Sequence, residues 1–128
     1  MPYAPNELLP FDAVVRELFA PLARFMDTPG VTEIAINRPG EVFVEAGPRW
    51  TRHALPELTL ARCQRLVNAI ATSCDQRIDA GAPVLTARLP GTERIHLVVA
   101  PVAEQDTVSM TIRIPDPTPR SFEDYQRQ

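Results

Sequence analysis

The chain has 128 residues, of which 45% are hydrophobic and 23% charged, and its formal net charge is −3. These values predict one globular domain with a core large enough to form without metals or disulfides. Mixed charges argue against a basic nucleic-acid groove, and the absence of a ~20-residue apolar stretch or a signal-peptide pattern predicts a cytoplasmic protein without a transmembrane segment.

The first predicted element is a helix over residues 11–26, after a proline-containing N-terminal lead-in at residues 1–10. Apolar residues recur there at intervals of three and four, which is typical of an amphipathic helix. Pro21 is expected to kink this helix or to divide it in two. The predicted apolar stripe consists of Phe11, Val14, Val15, Leu18, Leu22 and Phe25.

The next segment, from Val31 to His53, predicts an antiparallel meander of three short strands. Ile34 and Ile36 should lie on one face of the first strand, because side chains alternate along a strand. Pro-Gly and Gly-Pro turns separate the three strands. The third strand carries the only tryptophan, Trp50, which could be an exposed interface anchor but would more often pack under a helix.

The second half of the chain repeats the pattern of one helix followed by three strands. Residues 59–74 predict a helix with Thr59 as its N-cap, and a loop follows at residues 76–83. Strands are predicted at residues 84–89, 94–100 and 108–114, the first two joined by a hairpin turn. The predicted fold class is therefore α+β, an antiparallel sheet of about six strands with helices on one face.

The cysteines and histidines do not predict a reactive or metal-binding site. Cys63 and Cys74 lie eleven residues apart in one predicted helix, ~16 Å from each other, whereas a disulfide requires Cα atoms within about 7 Å. Adding His53 and His96 does not produce a zinc-ligand spacing. We expect reduced thiols and no metal site.

The sequence also lacks the residues that an ATPase needs to hold phosphates. A Walker A loop has the pattern Gly-x-x-x-x-Gly-Lys-Ser/Thr, in which backbone N–H groups and the lysine bind the phosphates. This chain contains no lysine, and no two of its five glycines have the required spacing followed by Gly-Lys. We therefore expect no catalytic residue and no ATP hydrolysis by this chain alone.

Three blocks of sequence nevertheless resemble the N-terminal domain of the ring-forming ATPases of type IV secretion and conjugation systems. The first is Val-Thr-Glu-Ile-Ala-Ile-Asn-Arg-Pro-Gly-Glu from Val31, with Trp50 downstream. The second is Gln-Arg-Ile-Asp from Gln76, followed by Pro-Val-Leu-Thr-Ala-Arg-Leu-Pro-Gly-Thr-Glu-Arg-Ile from Pro83. The third is Val-Ser-Met-Thr-Ile-Arg-Ile-Pro from Val108, ahead of Ser-Phe-Glu-Asp-Tyr from Ser121.

The resemblance implies a PAS-like domain over residues 11–114 and a linker over residues 115–128 toward a motor domain that this chain lacks. Six copies would form one tier of a homohexameric ring, located in the cytoplasm and attached to the inner membrane through other secretion components. The motor domain would bind ATP and Mg²⁺. Arg94 and Arg113 occupy the positions from which the family's N-terminal domain approaches the nucleotide phosphates, while Arg38, Arg77 and Arg88 are expected to be surface charges.

Two other functions remain as alternatives at this stage. The chain could be a stand-alone PAS-like module that binds a partner or ligand and modulates ring assembly. It could also be an unrelated small enzyme, although the serines lack a paired histidine and aspartate. Continuation of the parent reading frame into a Gly-Lys-Thr loop would discriminate the first hypothesis from both alternatives.

Overall fold

The structure is a computed structural model that describes residues 13–89 and 93–115. The elements occur in the predicted order, with small differences at their ends. They are α1 (Ala13–Met26), β1 (Val31–Ile36), β2 (Glu41–Ala46), β3 (Arg49–Ala54), α2 (Leu60–Ser73), β4 (Val84–Arg88), β5 (Arg94–Val98) and β6 (Ser109–Arg113).

The six strands form one open antiparallel sheet in the order β3-β2-β1-β6-β5-β4. Each half of the chain contributes a meander of three neighbouring strands, and the pairing of β1 with β6 joins the two meanders at the centre. Gly40 and Gly47 turn the first meander with φ of 86° and 60°, a region in which glycine has no steric penalty. The predicted α+β sheet is confirmed.

Alternation along the strands gives the sheet one apolar and one polar face. Ile34 and Ile36 are buried as predicted, and the same alternation buries the core side chains of β2, β4, β5 and β6. The buried stripes of both helices join these side chains in a single hydrophobic core. Thr59 caps α2 as predicted, because its side chain accepts a hydrogen bond from the backbone N–H of Arg62.

The apolar stripe of α1 differs from the prediction at its N-terminal end. Val14 is 60% exposed, whereas Phe19, which the prediction omitted, is buried. Helix α1 packs against α2 and also against β1, so its buried face is wide enough to include Phe19 and is centred away from Val14. Phe11 and the N-terminal lead-in lie outside the described residues.

Pro21 lies inside α1 without dividing it, contrary to one expected outcome. A proline at this position removes the N–H that would bond to the backbone carbonyl of Glu17. The guanidinium of Arg62 on α2 replaces it, since Nη1 donates to the Glu17 carbonyl at 3.1 Å and to the Leu18 carbonyl at 3.3 Å. A side chain from the neighbouring helix thus satisfies an acceptor that proline leaves without its usual backbone donor.

Trp50 is 47% exposed, so the more usual of its two expected placements, packed under a helix, is wrong. It lies on β3, the strand at one edge of the sheet, and every described residue of β3 is exposed or half-buried. Trp50 is the register partner of Glu45, so its side chain projects to the face of the sheet opposite the helices, whereas His53 projects to the other face and packs against Phe25 of α1.

Candidate functional site

The two arginines implied by the family resemblance lie directly opposite each other on the polar face of the sheet. Arg94 begins β5, Arg113 ends β6, and their Cα atoms are register partners in the antiparallel pair. Opposite residues in such a pair project on the same face with Cβ atoms about 4.5–5.5 Å apart. The structure therefore brings together two side chains that are far apart in the sequence.

The same row of register partners continues across the sheet in both directions. Arg113 pairs with Glu33 on β1, and Glu33 pairs in turn with Glu45 on β2. Arg113 Nε lies 3.6 Å from Glu33 Oε1, and the Arg113 side chain is 75% exposed. Glu45 accepts a hydrogen bond from Thr32 Oγ1 at 3.0 Å. Both acids in the row therefore already have a partner.

On its other side, Arg94 is opposite Arg88, which was predicted to be an ordinary surface charge. The backbone N–H of Leu89 donates to the Glu93 carbonyl at 2.8 Å, which makes this a hydrogen-bonded pair. The next pair, Arg88 with Arg94, is then a non-hydrogen-bonded pair, in which side chains approach more closely. Three arginines thus occupy adjacent positions on β4, β5 and β6, which we call the arginine row.

Neighbouring acidic side chains neutralise only part of the positive charge of the arginine row. Like charges directly opposite one another destabilise a sheet. Among residues 13–89 and 93–115, neither Arg88 nor Arg94 forms a side-chain ion pair or hydrogen bond with another residue. Arg88 is nevertheless half-buried. The row can offer planar guanidinium donors to an anion, which is the chemistry of phosphate recognition.

A shallow hollow of about 270 Å³ adjoins the row on the polar face. Arg94, Arg113 and Glu33 line one part of it, and the next row of register partners contributes Thr86, His96 and Thr111. Thr86 Oγ1 lies 2.9 Å from His96 Nδ1, so hydroxyl and imidazole groups are held beside the arginines. The accessible wall of the hollow is nevertheless mostly apolar, so its contribution to anion binding comes from the two arginines that line it.

Two other arginines behave as the predicted surface charges. Arg38 pairs with Glu41 at 3.4 Å. Arg77 pairs with Asp79, whose carboxylate also accepts the backbone N–H groups of Gly81 at 2.8 Å and Ala82 at 3.1 Å. These contacts, led by the hydrogen bond from Arg77, lower the pKa of Asp79. The Gln-Arg-Ile-Asp block therefore organises a loop.

The two cysteines and His53 have structural surroundings. Cys63 and Cys74 are buried free thiols, and burial raises the pKa of both. His53 packs its ring 4.9 Å from that of Phe25. Within the two described ranges, no cluster of three or more His, Cys, Asp or Glu side chains could hold a metal ion. In those ranges, too, no helix is both long and apolar enough to cross a membrane.

Comparison with known proteins places this domain among type IV secretion proteins. The type IV secretion system protein VirB11 of Brucella suis is 44% identical over 108 residues, which cover 84% of this chain and 30% of that protein. VirB11 of Bartonella quintana is 36% identical over 110 residues. PtlH of Bordetella pertussis, another type IV secretion system protein, is 42% identical over 85 residues.

A solved structure has the same fold. It is the crystal structure of the VirB11 ATPase from the Brucella suis type IV secretion system in complex with sulphate. It superposes with a TM-score of 0.83 at 43% identity, over 91% of this chain and 34% of that one. The chain spans about a third of the length of the curated relatives that it matches. No protein-family model matches the sequence.

Proposed function

Because the chain belongs to the VirB11 family of type IV secretion ATPases and corresponds to their N-terminal domain, we propose that it is the assembly and nucleotide-clamping domain of a hexameric ATPase that powers type IV secretion or conjugative transfer. The observation that carries the proposal is the direct pairing of Arg94 with Arg113 on the helix-free face of the sheet. Two guanidinium groups at this spacing fit the oxygens of a phosphate chain.

The position of the pair also supports a role at a boundary between domains. Arg113 is the last residue of β6, and Pro115 follows it at the end of the described residues. In this proposal residues 115–128 form the linker to a motor domain that holds the Walker loop, ATP and Mg²⁺. Arg94 and Arg113 then face the outer phosphates from the opposite side, and neighbouring copies complete the ring.

The division of labour follows from the residues on each side. This chain has no lysine and no Walker loop, so its own contribution is charge complementarity and positioning. Guanidinium groups stay protonated at any working pH, which suits them to a permanent anion contact. The proposed location is the cytoplasmic side of the inner membrane, with attachment through other secretion components.

The proposal is tested by Arg94→Ala and Arg113→Ala in the full-length protein and, separately, in the 128-residue chain. Each loss of a charge-assisted contact of about 1.5–3 kcal/mol should lower nucleotide affinity or turnover of the ring roughly ten- to a hundredfold. The melting temperature of the isolated chain should remain nearly unchanged, because both side chains are exposed. Arg65→Ala, on the exposed face of α2, removes the same charge and serves as the matched control.

The reverse result would contradict the proposal. A large loss of stability in the chain together with normal ATPase activity of the ring would identify Arg94 and Arg113 as structural residues. The coding sequence gives an independent check, since it should continue beyond Gln128 into a Gly-rich loop with Gly-Lys-Thr. A reading frame that stops at Gln128 would favour the stand-alone binding module instead.

A further inference from the structure

Arg88 has no role in the proposed nucleotide contact, yet the register makes it the third member of the arginine row. We propose that Arg88 is a further phosphate-binding residue, and that the arginine row binds a linear polyphosphate laid across β4, β5 and β6. This inference rests on the proposed nucleotide role of Arg94 and Arg113. It adds a third residue and specifies the ligand as a chain of phosphates rather than a single phosphate group.

The first argument is the geometry of the row. Arg88 is the partner of Arg94, and Arg94 is the partner of Arg113, so the three side chains leave the same face from neighbouring strands. Neighbouring strands lie about 4.8 Å apart, which places the outer two backbone positions about 10 Å from each other. A single phosphate group reaches two such arginines at most, whereas a chain of phosphates can lie along all three.

The second argument is charge. Two acids follow Arg113 along the same line of register partners. Glu33 pairs with Arg113, and Glu45 accepts a hydrogen bond from Thr32. The end of the row formed by Arg88 and Arg94 therefore carries uncompensated positive charge within the described residues. Glu93 precedes Arg94 in the chain, but consecutive strand residues project to opposite faces. An anion on this face would relieve the repulsion between the arginines.

The third argument is the surrounding surface. The hollow that contains Arg94 and Arg113 does not include Arg88, which stands on the other side of Arg94. A single anion seated in the hollow would touch the first two arginines and leave Arg88 free. A ligand that contacts all three arginines must therefore extend past Arg94 toward the β4 edge, as a chain of phosphates can.

The test measures binding of inorganic tripolyphosphate and of orthophosphate to the 128-residue chain by isothermal titration calorimetry at fixed ionic strength. The wild type should bind tripolyphosphate more tightly than orthophosphate. Arg88→Ala should weaken tripolyphosphate binding about two- to fivefold, the factor that corresponds to loss of a partly exposed ion pair of up to about 1 kcal/mol, and should change orthophosphate binding less. Arg65→Ala, with the same change in net charge, should have little effect on either.

The Arg88→Lys variant distinguishes a contact that needs the planar guanidinium from one that needs only a positive charge. Lysine keeps the charge but lacks the planar fork of donors, so it should restore only part of the tripolyphosphate affinity. Circular dichroism of each variant verifies that it is folded. Since Arg88 is half-buried, the lysine variant also retains the aliphatic stem that covers the sheet.

The outcomes separate this inference from the proposal on which it rests. If Arg94→Ala and Arg113→Ala weaken binding while Arg88→Ala matches Arg65→Ala, Arg88 is not a ligand and the inference is wrong, although the nucleotide proposal stands. The inference is also wrong if the wild type binds no tripolyphosphate, or if all four alanine variants weaken binding equally. If the row binds tripolyphosphate but its variants leave the ring's ATPase intact, the nucleotide proposal fails and the anion site remains.

Discussion

The hydrogen bonds from Arg62 to α1 lead to a prediction about how this fold accommodates a proline inside a helix. Pro21 cannot donate to the Glu17 carbonyl, and Arg62 Nη1 approaches that oxygen at 3.1 Å and the Leu18 carbonyl at 3.3 Å. A hydrogen bond with a charged donor contributes about 1.5–3 kcal/mol. This donor is shared between two acceptors and partly exposed, so Arg62→Ala should lower the free energy of unfolding by about 1–2 kcal/mol.

A double-mutant cycle isolates that contribution from the loss of the arginine's packing. Pro21→Ala restores a backbone N–H for the Glu17 carbonyl, and it also removes a residue that costs about 3 kcal/mol inside an unsupported helix. In the Pro21→Ala background, Arg62→Ala should therefore cost about 1 kcal/mol less than it does in the wild type. The remaining cost measures packing and the bond to Leu18.

The assay is urea denaturation followed by far-ultraviolet circular dichroism, with Arg65→Ala as the control on the same helix. Arg65 is exposed, so its replacement should change the free energy of unfolding by less than about 0.5 kcal/mol. The reasoning is refuted if Arg62→Ala costs the same in the wild type and in the Pro21→Ala background, because the guanidinium then does not compensate for the missing N–H.

Three further predictions follow from the sequence and from the described residues. The chain alone should release no phosphate from ATP above a heat-inactivated control, because it has no lysine; activity that survives rigorous purification would contradict this. Cys63 and Cys74 should react with a thiol reagent only on unfolding. Because burial raises the pKa of both thiols above the unfolded value of 9.0, the free energy of unfolding should fall as pH rises beyond 9.0. A Cys63→Ala, Cys74→Ala variant should not show this decrease. Asp79→Ala should speed hydrogen exchange at the Gly81 and Ala82 amides while α2 amides keep their protection, and unchanged exchange at those two amides would show that the carboxylate does not order the loop.

The sequence predicted the elements well because their signals are local. Alternation of apolar residues determined which side of each strand faces the core, and it placed Ile34 and Ile36 correctly. Contacts between distant segments were not predictable in the same way. The bond from Arg62 to the Glu17 carbonyl depends on how α1 crosses α2, and the exposure of Trp50 depends on the register of β3 with β2, which places Trp50 opposite Glu45 on the helix-free face. Neither fact has a local pattern.

The arginine row shows the same difference between pairings that a short connection determines and pairings between distant segments. The predicted hairpin connection between the fourth and fifth strands is short enough in the sequence to determine the register of β4 and β5, so the pairing of Arg88 with Arg94 could have been deduced from the sequence. The segment between β5 and β6 is longer, and its length does not determine a register. The pairing of Arg94 with Arg113, and of Arg113 with Glu33, therefore became visible only when β6 was placed between β5 and β1.

The net charge of the whole chain explains why the arginine row suits a binding site that two domains form together. The net charge is −3, so at long range this domain repels an anion, even though three of its arginines lie side by side. At physiological ionic strength the Debye length is about 8 Å, and a phosphate group senses the row only when it is already close. In the proposed ring, the motor domain brings the phosphates within that distance. Since each side then supplies only part of the binding free energy, bound nucleotide would favour the arrangement in which the two domains are in contact.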